Sequence, residues 1–199
     1  MSALLAMSLY AFSMSITPGP VNVIIFSRAV KDGVGRTIPF VVGATLGFSS
    51  VLFCAGVGLN LLIQKYAWLT NLVALLGCGF ICYLAIQFFR SGSNLQSSSN
   101  SQIGVWSGVA LMILNPKAWL AAIAGTSLFV EEGQLSQLIV FVCLYGIICF
   151  LSLSLWAIVG KKMSDIFSLS RYITSLNRIT GVLLLVVCGY VLIGLNITL

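Results

Sequence analysis

Six long apolar runs, at roughly 4–27, 38–63, 67–89, 104–130, 135–160 and 178–198, take up most of this chain. Each matches the ~20 residues an α-helix needs to cross the hydrocarbon core of a bilayer. In hydrocarbon the backbone must satisfy its own N–H and C=O groups, so runs of this length read as helices. The charge supply agrees, since 7% of the 199 residues are charged against about a quarter in a soluble domain. A water-facing surface cannot be made from it. The expectation is an all-α integral membrane protein of six transmembrane helices, one transmembrane domain over residues 1–199. Too little is left over for an extramembrane catalytic domain.

The net charge of +6 is distributed as a topology signal. Arg28, Lys31 and Arg36 fall between runs one and two, Arg90 follows run three, and Lys161, Lys162, Arg171 and Arg178 lie between runs five and six. Six spans bring these to one side and leave Lys65 on the other. The positive-inside rule then puts both termini outside the cytoplasm. A nucleic-acid partner is not what this pattern serves. The N-terminus lacks a basic n-region and a small-residue cleavage site, so it reads as a retained first span.

Two of the runs are interrupted. Run one contains Thr17-Pro18-Gly19-Pro20, whose prolines withhold the hydrogen bonds that the carbonyls of Met14 and Ile16 would accept. Run four contains Asn115-Pro116-Lys117, and Lys117 is its only charge, about 13 residues from either end. That is ~20 Å along a helix. A lysine stem reaches only ~6 Å, so an unbroken helix would strand the ammonium in hydrocarbon. Broken backbone at this depth is tolerated where it faces protein or a water-filled cavity. An ionisable group there marks a site, unless freed carbonyls satisfy it for structural ends alone. A packing kink is the bland reading of Pro18 and Pro20; Asn22 nearby favours a site. Elsewhere, Asp32-Gly33 reads as the turn of a short basic loop and Gly43-x-x-x-Gly47 as a close helix crossing. Residues 161–176 read as a short amphipathic helix on the inner leaflet.

The Gly-, Ser- and Asn-rich stretch 91–103 reads as a flexible linker near the midpoint, dividing the chain into halves 1–90 and 104–199. Each half has three spans, an odd number, so the second enters the membrane upside down relative to the first. Pairing Pro18 with Pro116 aligns Met14 with Met112 and Ile16 with Leu114. The expected architecture is a 3+3 inverted repeat with interrupted first and fourth helices, its substrate site at mid-membrane.

Histidine is absent and no Asp or Glu falls within a run. An intramembrane protease or a metal-dependent lipid enzyme would need such groups. The six cysteines all lie in apolar runs without ligand partners and read as buried free thiols. No metal or cofactor is expected. The inventory suits a small zwitterion instead. Lys117, with backbone N–H groups after Pro18-Gly19-Pro20, can hold a carboxylate, and the carbonyls of Met14, Ile16 and Met112 can accept from an ammonium. A dicationic substrate finds no counter-charge, so neutral amino acids fit better. The competing class is a non-transporting membrane scaffold whose glycine faces bind another membrane protein.

Thr17-Pro18-Gly19-Pro20, Gly33, Gly43-x-x-x-Gly47 and Asn115-Pro116-Lys117-Ala118 resemble the LysE/RhtB family of bacterial amino-acid exporters, and the likeness in length and span number covers the whole chain. The resemblance implies a multi-pass protein of the bacterial inner membrane that exports amino acids or close derivatives, driven by the proton gradient. The branch exporting cysteine, O-acetylserine, homoserine or threonine suits a neutral site. The expected substrate-binding residues are Thr17, Pro18, Gly19, Pro20, Asn22, Asn115, Pro116 and Lys117, with Lys117 and Asp32 as candidates for proton coupling. A homodimer is compatible with the chain, though nothing in it demands one.

Overall fold

The computed structural model describes residues 3–59, 104–131, 133–167 and 173–196, with scattered positions between 75 and 89. Among the described residues the structure is all-helical, with no strand. Helix α1 spans Ala3–Ile16, α2 Pro20–Cys54, α3 Val105–Ile113, α4 Pro116–Phe129, α5 Leu135–Phe167 and α6 Ile173–Asn196. A π-helical turn, Ala55–Leu59, extends α2. The linker 91–103 and most of the third run lie outside the described residues.

Among the described residues two helices, Pro20–Gly58 and Leu135–Asp165, are long and apolar enough to cross a membrane unaided. A third crossing is made if α3 and α4, bent by 66° at Leu114 and Asn115, act as one broken span. The outward faces are apolar: Leu120, Leu128, Ile147, Leu151 and Val186 are each more than 60% exposed. A soluble protein does not present so much contiguous apolar surface. These side chains suit lipid.

The helices differ from expectation in two places. The basic loop expected around Asp32-Gly33 shrinks to one residue. Gly33 alone leaves helical geometry, at φ 80° and ψ 170°. That combination is essentially glycine-only. Helix resumes at once, with the Thr37 hydroxyl donating to the Gly33 carbonyl at 2.8 Å. The amphipathic helix expected over 161–176 is not a separate element in its described part. Residues 161–167 continue α5 as its last turns, where Lys161 pairs with Asp165 at 2.6 Å.

Small residues set the helix crossings. A Cβ on Gly43 would overlap the backbone of Val105, and one on Gly108 would overlap the backbone of Phe40 and Ala44. On Gly47 it would lie 2.8 Å from the Val109 carbonyl oxygen. The expected Gly43-x-x-x-Gly47 crossing is therefore real, and α3 is its partner. Gly160 does the same for α5, where a Cβ would meet the Phe26 carbonyl oxygen at 2.6 Å. Without a hydrophobic drive between helices in lipid, such close backbone approach is what holds them. Of the cysteines, Cys78, Cys149 and Cys188 are buried, but Cys143 is exposed and Cys54 and Cys82 are intermediate, so burial holds for half of the set.

Candidate functional site

The break between α1 and α2 releases carbonyls that no helical N–H can reach. Pro20 has no N–H to offer Ile16, and the extended backbone at Gly19 carries the chain away from Ser15. Side chains take over. The Asn22 amide donates to the Ser15 carbonyl at 2.9 Å, and the Trp156 indole donates to that of Ile16 at 3.2 Å. The Lys117 ammonium donates to the Thr17 carbonyl at 2.9 Å, a contact between residues 100 positions apart. The ammonium that looked stranded in run four is thus held against the break in run one. Gly19 lies beside it, where a Cβ would be in ordinary contact with Lys117 Nζ at 3.4 Å.

The second break is built differently. Asn115 caps α4 by accepting from the Lys117 backbone N–H at 3.1 Å, and Pro116 takes the first helical position, where its missing N–H is harmless. The Trp119 indole satisfies the Ile113 carbonyl at 2.7 Å, and the Asn115 N–H bonds the Met112 carbonyl at 3.2 Å. Of the three carbonyls expected to await an ammonium, those of Ile16 and Met112 therefore already carry donors. The carbonyl that does receive an ammonium is Thr17's, which the sequence reading left out. Pro20 and Pro116 each open a helix after an extended cap residue, Gly19 and Asn115, so in its place on the helix Pro116 is like Pro20 rather than Pro18. One asymmetry remains: α4 has a side-chain cap, whereas α2 has none. The N–H groups of Val21 and Asn22 at its first turn are left to whatever occupies the space before them, at the end of the helix that favours negative charge.

That space is a small pocket of about 40 Å³. Gly19, Asn22, Asn115 and Lys117 line it, so four of the eight expected residues meet there. Thr17 is exposed and takes part through its carbonyl, Pro18 is also exposed, and Pro20 and Pro116 shape the backbone behind the wall. Asp32 is not brought to the site. It pairs with Arg28 at 3.7 Å beside the Gly33 bend, ten residues or ~15 Å of helix beyond Asn22. Sequence reasoning missed Ser15, Phe48, Ala118, Ala121 and Cys149, which complete the lining with Met112, Val21 and Leu153. Only spacing hinted at them: Ala121 is one helical turn from Lys117, and Cys149 one turn from Leu153.

A larger opening of about 520 Å³ lies between the π-helical turn and the start of α5, bordered by Gly56, Thr126, Val130, Gly133 and Leu138. A series of ring contacts starts at the smaller space. Phe48, on the small cavity, has its centroid 4.5 Å from that of Tyr145. Tyr145 is 5.7 Å from Phe141, and Phe141 is 5.4 Å from Phe129. Tyr10 packs edge-on against Phe129 and Tyr145 and donates to the Ala121 carbonyl at 2.8 Å.

The chain is similar to characterised proteins along nearly all of its length. The cysteine/O-acetylserine efflux proteins of Salmonella choleraesuis (strain SC-B67) and Salmonella typhimurium (strain LT2) are each 30% identical to it over 189 residues, which covers 90% of this chain and 92% of theirs. The protein of the same name from Escherichia coli O1:K1 is 29% identical with the same coverage. No solved structure matches. The model of the LysE type translocators matches residues 12–195, both helix breaks included. Broken helices that meet at a half-buried lysine, lipid-facing apolar surfaces and that match agree: the chain is a membrane translocator rather than an enzyme, and it belongs to the LysE type translocator family.

Proposed function

We propose that this protein is a secondary transporter exporting neutral amino acids or derivatives, of the cysteine or O-acetylserine kind, across the bacterial inner membrane. One observation carries the reading. The Lys117 ammonium meets the Thr17 carbonyl at 2.9 Å across two helix breaks that border a single cavity. An ammonium set against a bare carbonyl complements the carboxylate and the ammonium of a zwitterion, and the uncapped start of α2 adds N–H groups on the carboxylate side. No carboxylate lines the cavity, so a second positive charge on the substrate would go unanswered. The name carried by the relatives supplies the substrate kind.

The pocket is about 40 Å³, well below the roughly 300–1,000 Å³ of sites that enclose small ligands, so a substrate needs it to widen. A substrate would enter by replacing the Lys117–Thr17 contact, which separates the start of α4 from the α1–α2 break. Occupancy and helix movement are thereby linked. The wider architecture in this reading is six spans in inverted halves, 1–90 and 104–199, joined by the linker 91–103, with both termini outside the cytoplasm. The helices broken before Pro20 and Pro116 support it. The proton gradient drives export, with Lys117 and Asp32 as the groups to test; Asp32 would act at the Gly33 bend. A homodimer is compatible with all of this.

The test is a metabolite-efflux comparison. A strain overproducing the wild-type protein should accumulate extracellular cysteine and O-acetylserine, and one producing Lys117→Met at equal membrane levels should not. Normal export by Lys117→Met would remove the site assignment. Uptake into proteoliposomes with and without an imposed pH difference reads the coupling.

A further inference from the structure

The cavity lining is of two kinds. Lys117, Asn115, Asn22 and Gly19 present an ammonium, two amides and open backbone. Four helices also contribute Ser15 from α1, Phe48 from α2, Ala121 from α4 and Cys149 from α5. Ala121 follows Lys117 by four residues, so it lies one turn along the same face of α4. A substrate whose carboxylate sits at Lys117 would turn its side chain toward Ala121 and this second group. Phe48 is the bulkiest apolar group there, 4% exposed, with the Tyr145 ring behind it at 4.5 Å. Ala121 is the smallest.

We infer that Phe48, together with Ala121, forms the side-chain subsite and sets which neutral amino acids the protein accepts, with Cys149 and Ser15 contributing the polar edge that a thiol or an ester would meet. The inference rests on the functional reading above, in which Lys117 holds the groups common to all amino acids. Discrimination here is by size: one methylene more or fewer in an apolar pocket changes specificity by about 10–200-fold. A group that only braces the helices would affect all substrates alike. A group that touches the varying part of the substrate changes their ratio.

The experiment is counterflow in proteoliposomes with L-serine, L-cysteine, O-acetyl-L-serine, L-leucine and L-phenylalanine, giving Vmax/KM for each. Phe48→Ala should raise the leucine-to-serine ratio at least tenfold, mainly through KM. Ala121→Val should lower the ratio for every substrate larger than serine. Lys117→Met should depress all five by a common factor. If Phe48→Ala does not fold, Phe48→Leu and Ala121→Val carry the comparison. Equal scaling of all five substrates in the Phe48 and Ala121 variants overturns the subsite while leaving the transport function standing. A wild-type protein that moves none of them overturns the functional reading, and the subsite with it.

Discussion

At the scale of single residues, the protein spends its few polar groups on mending two broken helices. A lysine at the centre of a membrane helix costs ~2.5–3.5 kcal/mol on insertion scales. Lys117→Met should therefore insert at least as well as wild type, and its amount in purified membranes should not fall while flux drops more than tenfold. Asn115→Ala removes the cap that receives the Lys117 N–H and should cost ~1 kcal/mol, read as an earlier thermal transition in detergent. Trp156→Phe keeps the ring but leaves the part-buried Ile16 carbonyl without its 3.2 Å donor, a loss toward the low end of the ~1–3 kcal/mol that a buried acceptor would cost. Which of these residues could be seen in advance follows from their chemistry. Lys117 and the prolines were legible because each is costly in hydrocarbon. Trp156, Phe48 and Cys149 were not, because an aromatic or a thiol inside an apolar run looks like its neighbours. Trp156 meets its partner 140 residues away in sequence, a distance that no local pattern encodes.

At the scale of elements, helix breaks were visible and helix continuity was not. Proline marks where a ladder must stop, so the ends of α1 and α3 could be placed to within a residue or two. Charged residues between Arg28 and Arg36 suggested a loop, yet they sit on helix, because a headgroup region solvates charges on helical backbone as readily as on a turn. The same holds for Lys161 and Lys162 on α5. What the bend at Gly33 needs is a residue able to hold φ 80° and ψ 170°. Gly33→Ala should cost ~1–3 kcal/mol, whereas Gly35→Ala, with open space around it, should be tolerated; chemical denaturation of the two variants side by side checks this. The crossing of α2 and α3 is less forgiving. Gly108→Leu would drive a side chain into the backbone of Phe40 and Ala44, and size-exclusion chromatography should show aggregate in place of a monodisperse peak.

At the scale of the whole molecule, spaces of about 40 Å³ and about 520 Å³ are present, and edge-on and tilted rings from α1, α2, α4 and α5 cluster next to the smaller one, where Phe48 is in the lining. Cys149 borders the smaller one, so the chain carries its own reporter of access. In a variant keeping only that cysteine, a charged thiol reagent should label slowly in nanodiscs, and Phe129→Ala or Tyr145→Ala should speed the reaction several-fold. Rapid labelling without either change would mean that the rings do not close the path. The smallness of the inner space has another consequence. Protons cross membranes along files of hydrogen-bonded water, and a space of about 40 Å³ with Val21, Phe48, Met112 and Leu153 in its lining gives such a file little room. A cell could keep many idle copies in its membrane without short-circuiting its own energy supply. Vesicles reconstituted with the protein and no substrate should hold an imposed pH difference as long as protein-free vesicles do, as followed with an entrapped pH-sensitive dye.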